Sequence, residues 1–440
     1  MGLIFTWLLA LAGLAVGWFN PIIGLLIYFA FALLRPPFLW HWYPQLQGPR
    51  FSMMIGASTL VGWALKNFGD WRRLDGIWLP IAGLIIYLLA GLFAWKVNAV
   101  DPVRAGIAYD IQLKICIMVI VAATLLHEEK HIKAFAWVIF ICLGYIAYEF
   151  NLEWVQTGWS RLHTRGFGGI DNNGAAMIMV MGVPLAFFLG LNYKQWWIRG
   201  LCFGIAVLLM HVVLFSFSRG GQLGLGVVGF MLLVVALLHL PRKGLTLSLT
   251  ALFLAMTVYL AGDQVRERFF TIFVDEQERD ASAASRFDTW AGGIRCMVEN
   301  PLGVGPRNFN RVSHEYGLAV NKSVHNLFIQ TGADYGVAGM LGLAMFYFGT
   351  AIKCFNMSRT RAAAVLGWPR YYGHMVTISI GGFLVCSMFI GMESVEVGYI
   401  IGALGLCTVS YVRHHAAAVT PRLDLLPELE QVPGYQLDAA

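Results

Sequence analysis

Long apolar runs restrict this chain more than any other feature. A run of about 17 to 25 apolar residues can cross the hydrocarbon core of a bilayer as a helix. Only 13% of the residues are charged, against about 25% in an ordinary soluble protein. Backbone groups in lipid must be satisfied internally, and no alternating strand pattern is visible, so we predict an all-α polytopic membrane protein. Eleven spans are predicted, at 52–68, 77–95, 107–126, 134–150, 174–191, 198–217, 222–239, 245–262, 331–354, 373–391 and 396–411.

The first apolar segment, 3–34, is interrupted by Asn20-Pro21. It contributes either two thin spans or one broken span, which gives about 12–13 transmembrane helices in total. Its first run has no basic region ahead of it and no clear small-residue cleavage site, so we do not expect a cleavable signal peptide.

The basic residues predict the orientation of the chain, because short cytoplasmic loops are enriched in Lys and Arg. They cluster on alternate loops, which we assign to the cytoplasmic face. The formal net charge of +6 then reflects membrane topology, and we expect no binding to nucleic acid. The tail after Arg413 is predicted to be disordered and cytoplasmic. The opposite, outer face holds 35–51, 96–106, 151–173, the turn at Arg219, 263–330 and 391–396.

The seven cysteines indicate no disulfide framework, since six lie in or beside apolar spans, where Cys packs as a small hydrophobe. No Cys/His spacing typical of a zinc site occurs. We divide the chain into N-terminal transmembrane helices (1–262), a large outer loop (263–330), C-terminal transmembrane helices (331–411) and a tail (412–440).

The outer loop 263–330 is the segment most suited to carry chemistry, because connections longer than about 12 to 15 residues are usually functional or disordered. Ser323 is predicted to cap the helix that follows, with His325 in its first turn. A helix N-terminus disfavours imidazolium, so His325 would stay neutral and able to accept a proton. The alternative is a packed or surface His without a catalytic task. Earlier in the loop, apolar residues at helical spacing predict a helix that lies on the membrane or on other helices: Phe287, Trp290, Ile294 and Val298.

Charged residues inside or beside the spans are the other candidates. Arg219 stands in "SFSRGGQLGLG", between two long apolar runs; it either serves a site or extends to lipid phosphates. The neighbouring glycines allow close approach, although helix packing explains them equally well. Arg165 lies in the polar loop "WSRLHTRGFGGIDNNGAA", where a wet headgroup position is the simpler interpretation. Asp110 and Lys114 are four residues apart in one span, which predicts an intrahelical ion pair.

The order of several motifs resembles the O-antigen ligase and polymerase superfamily, which also includes bacterial protein O-oligosaccharyltransferases. These motifs are "SRGG", then "SRFDTW", "NPLGVG" and "HNLFIQTGADYGVAG". The resemblance is most specific over about 216–345, weaker over "RLHTRGFGGIDNN", and closest to the O-antigen ligases.

The resemblance implies transfer of a glycan from undecaprenyl diphosphate to an acceptor hydroxyl of lipid A-core, on the periplasmic face of the bacterial inner membrane, with no metal and no cofactor. By the resemblance, His325 is the catalytic base, and Arg219 and Arg286 bind the diphosphate. Asn326 belongs to the "HN" motif and has a supporting role. Two positions depart from the family pattern: Asp334 stands where relatives commonly have Glu, and the outer loop that would supply Arg165 to the diphosphate lacks the usual Pro-Asn.

The residue types agree with this chemistry. Guanidinium groups match phosphate oxygens in pairs, and a positioned His commonly contributes a rate factor of about 100 to 10,000 as a general base. Other interpretations stay open: a polymerase or a protein O-oligosaccharyltransferase, a lipid or polysaccharide transporter, and a metal-dependent glycosyltransferase with ligands from "DEQERD" at 275–280.

Overall fold

The described part of the chain folds as helices, which are joined by turns and by a compact segment, 281–326. We call this segment the extramembrane region, because its composition predicts a position outside the membrane. The computed structural model describes residues 2–239, 244, 247–252, 255–256, 259, 281–391 and 395–424. No β-strand occurs in these ranges, where the pairing of Phe167 with Ile170 is an isolated bridge. The α-helices are α1 (Gly2–Gly17), α2 (Pro21–Leu34), α3 (Pro36–Leu39), α4 (Phe51–Leu65), α5 (Trp78–Phe93), α6 (Pro102–Leu125), α7 (Glu129–Thr157), α8 (Arg161–Arg165), α9 (Asn172–Asn192), α10 (Trp196–Phe215), α11 (Arg219–Leu238), α12 (Ala281–Glu299), α13 (Phe309–Val312), α14 (Leu327–Ser358), α15 (Arg361–Leu366), α16 (Trp368–Ser387) and α17 (Glu396–Asp424).

Eight helices in the described part of the chain are long and apolar enough to cross a membrane. They are α2 with α3, α5, α6, α7, α9, α10, α11 and α14. This confirms the predicted all-α, multi-pass membrane protein. The predicted total of about 12–13 crossings stays a prediction, because the span at 245–262 lies largely outside the described residues. The predicted spans at 52–68, 373–391 and 396–411 correspond to α4, α16 and α17.

The structure shows why the first apolar segment is interrupted. Asn20 caps α2, its side-chain oxygen accepting a hydrogen bond from the Ile23 amide at 3.4 Å, and Pro21 occupies the first helical position, where a missing amide hydrogen does no harm. The segment therefore forms two helices, α1 and α2. At the other end of the chain, α17 continues to Asp424, beyond the predicted end of the last span at 411. The prediction that the chain is disordered directly after Arg413 was therefore wrong.

Helices α9 and α14 organise the bundle. Helix α9 is 94% buried over its apolar window, the highest value among the eight spanning helices, and it packs against α10, α11 and α16. Helix α14 packs against α5, α12 and α16. The extramembrane region is thus attached directly to a central helix.

Segments that were predicted to share the outer face contact one another. The Asn98 side-chain amide donates to the Gly303 carbonyl at 3.1 Å, and the Val100 amide donates to the Val304 carbonyl at 3.3 Å. Asp101 forms an ion pair with Arg311 at 3.3 Å. These contacts join the 96–106 loop to the large loop, as a common outer face requires.

Helix α14 is kinked at Gly336, whose φ of 79° is far from helical values. A kink releases backbone groups from the helical ladder, and the "NPLGVG" turn supplies their partners. The Val304 amide donates to the Ala333 carbonyl and the Gly305 amide to the Asp334 carbonyl, both at 3.0 Å. The Val337 amide donates to the Pro301 carbonyl at 2.9 Å. Two motifs of the sequence are therefore one interlocked structural unit.

The extramembrane region has its own small hydrophobic core, which we call the loop cluster. It is distinct from the large core of the helical bundle. Trp290, Leu318 and Ile329 pack against it. Its buried members are Cys296, Val304, Phe309, Val312, Tyr316, Val324 and Ala333.

Candidate active site

The "SFSRGG" turn places Arg219 at the first residue of α11. Phe217 adopts a left-handed φ of 53° and ends the turn after α10. Ser218 then caps α11, its hydroxyl oxygen accepting a hydrogen bond from the Gly221 amide at 3.1 Å. The same hydroxyl donates to the side-chain oxygen of Asn173 at 2.7 Å. The turn that carries Arg219 is therefore fixed to the first turn of α9.

The glycines after Arg219 permit close helix packing. A Cβ added at Gly221 would lie 2.7 Å from the Cβ of Ala176 on α9, and one added at Gly220 would lie 3.2 Å from the Cβ of Phe389. These glycines therefore serve helix packing, as the sequence allowed. Close approach at Gly220 brings Phe389, which follows α16, beside the start of α11.

Arg286, near the start of α12, lies in the same place. Its guanidinium carbon is 5.4 Å from the centre of the Phe389 ring, a cation–π distance. Burial lowers the pKa of Arg286, the positive charge of Arg219 lowers it further, and the negative charge of Asp171 opposes both effects. The structure thus brings two of the predicted arginines within electrostatic range of each other.

His325 also belongs to this group, but not through the predicted helix cap. The cap is Asn326, whose side-chain oxygen accepts hydrogen bonds from the amides of Phe328 at 3.1 Å and Ile329 at 3.2 Å. The prediction that Ser323 caps this helix, with His325 in its first turn, was therefore wrong. His325 precedes the helix in a left-handed conformation with a φ of 55°, and its Nε2 lies 3.1 Å from the Ser323 hydroxyl.

The surroundings of His325 favour a neutral imidazole. Burial lowers its pKa first, the positive charges of Arg286 and Lys322 lower it further, and the charge of Asp171 acts in the opposite direction. The predicted neutral state of His325 thus has a different physical origin from the helix terminus that suggested it. A half-buried imidazole without a proton on one nitrogen can accept one from a bound hydroxyl.

Asp171 is the acidic member of the group, and the sequence analysis did not select it. It caps α9, with one carboxylate oxygen accepting from the Gly174 amide at 2.8 Å. Its charge acts on both Arg286 and His325. The available signal was its position in "GGIDNN", directly before a span, which is also the position of an ordinary helix cap.

Asp334 lies behind the site, with no exposed surface. Its carboxylate accepts hydrogen bonds from the Phe309 amide and from the Gln330 side-chain amide, both at 2.7 Å. The Gln330 side-chain oxygen in turn accepts from the Val324 amide at 2.9 Å. Asp334 therefore holds the segment next to His325 through Gln330, a residue that sequence analysis missed because its contact depends on tertiary structure.

Arg165 has different electrostatic partners from the other predicted residues. It is the last residue of α8 and is exposed. Burial lowers the pKa of His41, and the charges of Arg161 and then Arg165 lower it further. The Arg161 guanidinium lies 2.9 Å from the Nδ1 atom of His41. A role for Arg165 at the diphosphate stays a prediction.

The apolar stripe of α12 faces outward for most of its length. Phe287, Ile294 and Val298 are exposed, whereas Trp290 packs against the loop cluster. The opposite side of the helix, with Cys296, is buried. Contact of this stripe with a membrane surface remains the expectation from its composition.

Taken together, two guanidinium groups, a half-buried imidazole and one carboxylate converge from α11, α12, the segment before α14 and the cap of α9. Such a group can hold a dianion and accept a proton from a neighbouring hydroxyl.

Comparison with known proteins supports the resemblance that was drawn from the motifs. The family model described as O-Antigen ligase matches residues 204–344, a range that holds Arg219, Arg286, His325 and Asp334. No curated protein was found to match the chain. The superfamily inferred from the sequence motifs is therefore supported over this range, and the chain is a multi-pass membrane protein that is similar to the O-antigen ligase family over residues 204–344.

Proposed function

We propose that this protein is a metal-independent, inverting glycosyltransferase. It moves a glycan from undecaprenyl diphosphate to an acceptor hydroxyl of lipid A-core at the periplasmic face of the bacterial inner membrane. The observation that supports this most is a shared neighbour, the segment 389–391. The Phe389 ring lies 5.4 Å from the Arg286 guanidinium and packs against Gly220, next to Arg219. A Cβ added at Gly391 would lie 3.4 Å from the backbone nitrogen of His325.

Two like charges held beside each other indicate an anion site. The positive charge of Arg219 disfavours the charged form of Arg286. A diphosphate that binds between them removes this repulsion and accepts paired hydrogen bonds from planar guanidinium groups. Preorganised donors of this kind lower a reaction barrier by several kcal/mol, typically about 3 to 4 for one donor. The two guanidinium groups are therefore already in position to stabilise the negative charge of the leaving diphosphate.

His325 serves as the general base. The acceptor hydroxyl gives its proton to the free imidazole nitrogen while its oxygen forms a bond to the anomeric carbon. The bond between that carbon and the diphosphate oxygen breaks, and the electron pair leaves with the carrier diphosphate. One displacement from the side opposite the leaving group inverts the anomeric configuration and forms no glycosyl-enzyme intermediate. Asp171 balances the charge of the imidazolium that results.

The test is a transfer assay with purified protein, carrier-linked glycan and lipid A-core, performed with a chelator present. We expect product in the chelator and a loss of about 100-fold or more in kcat for His325→Ala. His314→Ala is the matched control, because His314 is an exposed histidine of the same extramembrane region.

Three outcomes would overturn the proposal. They are an absolute requirement for an added divalent ion, retention of the anomeric configuration in the product, and normal transfer by both His325→Ala and Arg219→Ala. Membrane accumulation of the variants, measured by quantitative blotting, separates a catalytic defect from misfolding.

A further inference from the structure

A large lateral groove lies between α2, α4 and α6, and we call it the α2–α4–α6 groove. Its volume is about 1110 Å³, slightly above the usual range of about 300 to 1,000 Å³ for pockets that bind small molecules. Most of its lining is apolar, and Val103 and Ile107 of α6 are largely exposed within it. A groove of this composition suits hydrocarbon chains.

One end of the groove adjoins the candidate active site. Arg35 lines the groove, donates to the Gly168 carbonyl and forms an ion pair with Glu396, which also lines it. Phe38 is a further lining residue, and a Cβ added at Gly169 would lie 3.5 Å from its ring. The loop 166–171 therefore contacts the groove, and it leads directly into the start of α9, where Asn173 accepts a hydrogen bond from Ser218 beside Arg219.

The groove carries charge that a plain hydrocarbon channel would not need. Arg50 lines it just before α4 and is exposed. The predicted ion pair between Asp110 and Lys114 is present, and both residues line the groove. At 1.5 Å per residue, Lys114 is about 10 Å from Ile107, where the predicted span begins, and so lies inside a core about 30 Å thick. Ionisable residues at that depth commonly mark a substrate path.

The direction of the reaction distinguishes the two substrates. Helix α11, which carries Arg219, packs against α9, α10 and α16, whereas the groove is formed by α2, α4 and α6. In an inverting displacement the attacking hydroxyl approaches opposite the leaving diphosphate. If the diphosphate lies at Arg219 and Arg286, a second lipid-borne substrate has to arrive from another side, and the groove is lined by no residue of α11.

We propose that the α2–α4–α6 groove binds the lipid portion of the acceptor, an anionic, acylated glycolipid, and thereby presents its sugar hydroxyl to His325 past the loop 166–171. This rests on the proposed function and names the class of its acceptor. Arg50 complements the negative charge of the headgroup. The ester and amide linkages of acyl chains match a groove with a polar wall better than a polyprenyl chain does.

The first test measures binding without catalysis. Native mass spectrometry of the purified full chain, titrated with lipid A-core alone, counts bound glycolipid. Ala57 is exposed, lies on α4 and lines the groove, so Ala57→Trp fills it. Ala64→Trp is the matched control, because Ala64 is an exposed alanine two turns further along α4 that does not line the groove. We expect Ala57→Trp to bind lipid A-core at least 10-fold more weakly than the wild type, and Ala64→Trp to bind it with unchanged affinity. Equal binding by both variants would overturn the proposal.

The second test separates the acceptor from the donor. We expect Ala57→Trp to raise KM for lipid A-core at least 10-fold, while KM for the carrier-linked donor and transfer to the deacylated, water-soluble core oligosaccharide stay at the wild-type level. A rise in KM for the donor would assign the groove to the prenyl chain and overturn the proposal, as would equal losses with both acceptors. Absence of transfer by the wild type, together with intact glycolipid binding, would instead reject the proposed function.

Discussion

Arg286 lies close enough to His325 for its positive charge to lower the pKa of the imidazole, while the negative charge of Asp171 raises that pKa. The guanidinium that is proposed to bind the leaving group thus also keeps the base unprotonated. This coupling makes the protonation state of His325 sensitive to the charge of its neighbours and to the charge of a bound substrate.

Two charge-removing substitutions should move the pH profile in opposite directions. The positive charge of Lys322 lowers the pKa of His325, so Lys322→Gln raises that pKa and the acid limb of kcat/KM moves to higher pH. Asp171 raises the pKa, so Asp171→Asn moves the limb to lower pH. Asn also caps helices well, which preserves the start of α9. Shifts of both variants in one direction, or no shift, would contradict His325 as the base.

Donor binding should itself shift the titration of His325. The profile of kcat/KM reports the free enzyme and that of kcat reports the substrate complex. A bound diphosphate brings negative charge near the imidazole and offsets the effect of Arg286, so its pKa rises. We expect the acid limb of kcat to lie at higher pH than that of kcat/KM. Coincident limbs, measured with the acceptor saturating, would show that the diphosphate does not lie near His325.

Arg219 and Arg286 should act as one unit. Each single change to Ala removes a donor to the diphosphate, for which a loss of about 100- to 1,000-fold in kcat is expected. The single change also relieves the repulsion of the remaining arginine, so the double variant should lose less than the product of the single losses. Arg295→Ala provides the comparison: its guanidinium donates to the Tyr316 carbonyl at 2.8 Å, and its effect should combine additively with Arg219→Ala.

Exchanging donor and acceptor between Gln330 and Asp334 tests the link behind His325. The Gln330 side-chain oxygen accepts from the Val324 amide, so its NH2 group has to face residue 334. In Asp334→Asn that NH2 group meets the NH2 group of the new Asn. An unsatisfied buried polar group costs about 1 to 3 kcal/mol, so the melting temperature and activity of this variant should fall. Adding Gln330→Glu restores an acceptor for both partners and should recover the loss. No recovery in the double variant would assign the effect to the charge of Asp334 alone.

Local rules predicted the helical architecture because hydrophobicity and length decide whether a segment can cross a bilayer. The same rules placed the break at Asn20-Pro21 correctly. For the helix that follows His325, they predicted the cap at Ser323, whereas the structure has it at Asn326. Both residue types are good caps. The choice between them follows from the left-handed turn at His325 and from the contact of its ring with Ser323.

The candidate site was only partly predictable. The order of the motifs pointed to Arg219, Arg286 and His325, and the structure brings these three together. Asp171 and Gln330 were not predicted, because each acts through tertiary packing. Asp171 acts through the loop before α9, and Gln330 acts through its hydrogen bonds to Val324 and Asp334. No sequence pattern distinguishes such an Asp or Gln from an ordinary helix-capping or helical residue.

The loop cluster around Phe309 carries a practical consequence for handling the protein. It contains seven buried residues, whereas the helical bundle has a far larger core, and small cooperative units open at lower free energy than the whole molecule. Detergents that leave the bundle intact can therefore release the segment that carries His325. A preparation that elutes as a single symmetrical peak is not thereby competent, and retention of catalysis, rather than chromatographic behaviour, is the appropriate guide when choosing a solubilising agent.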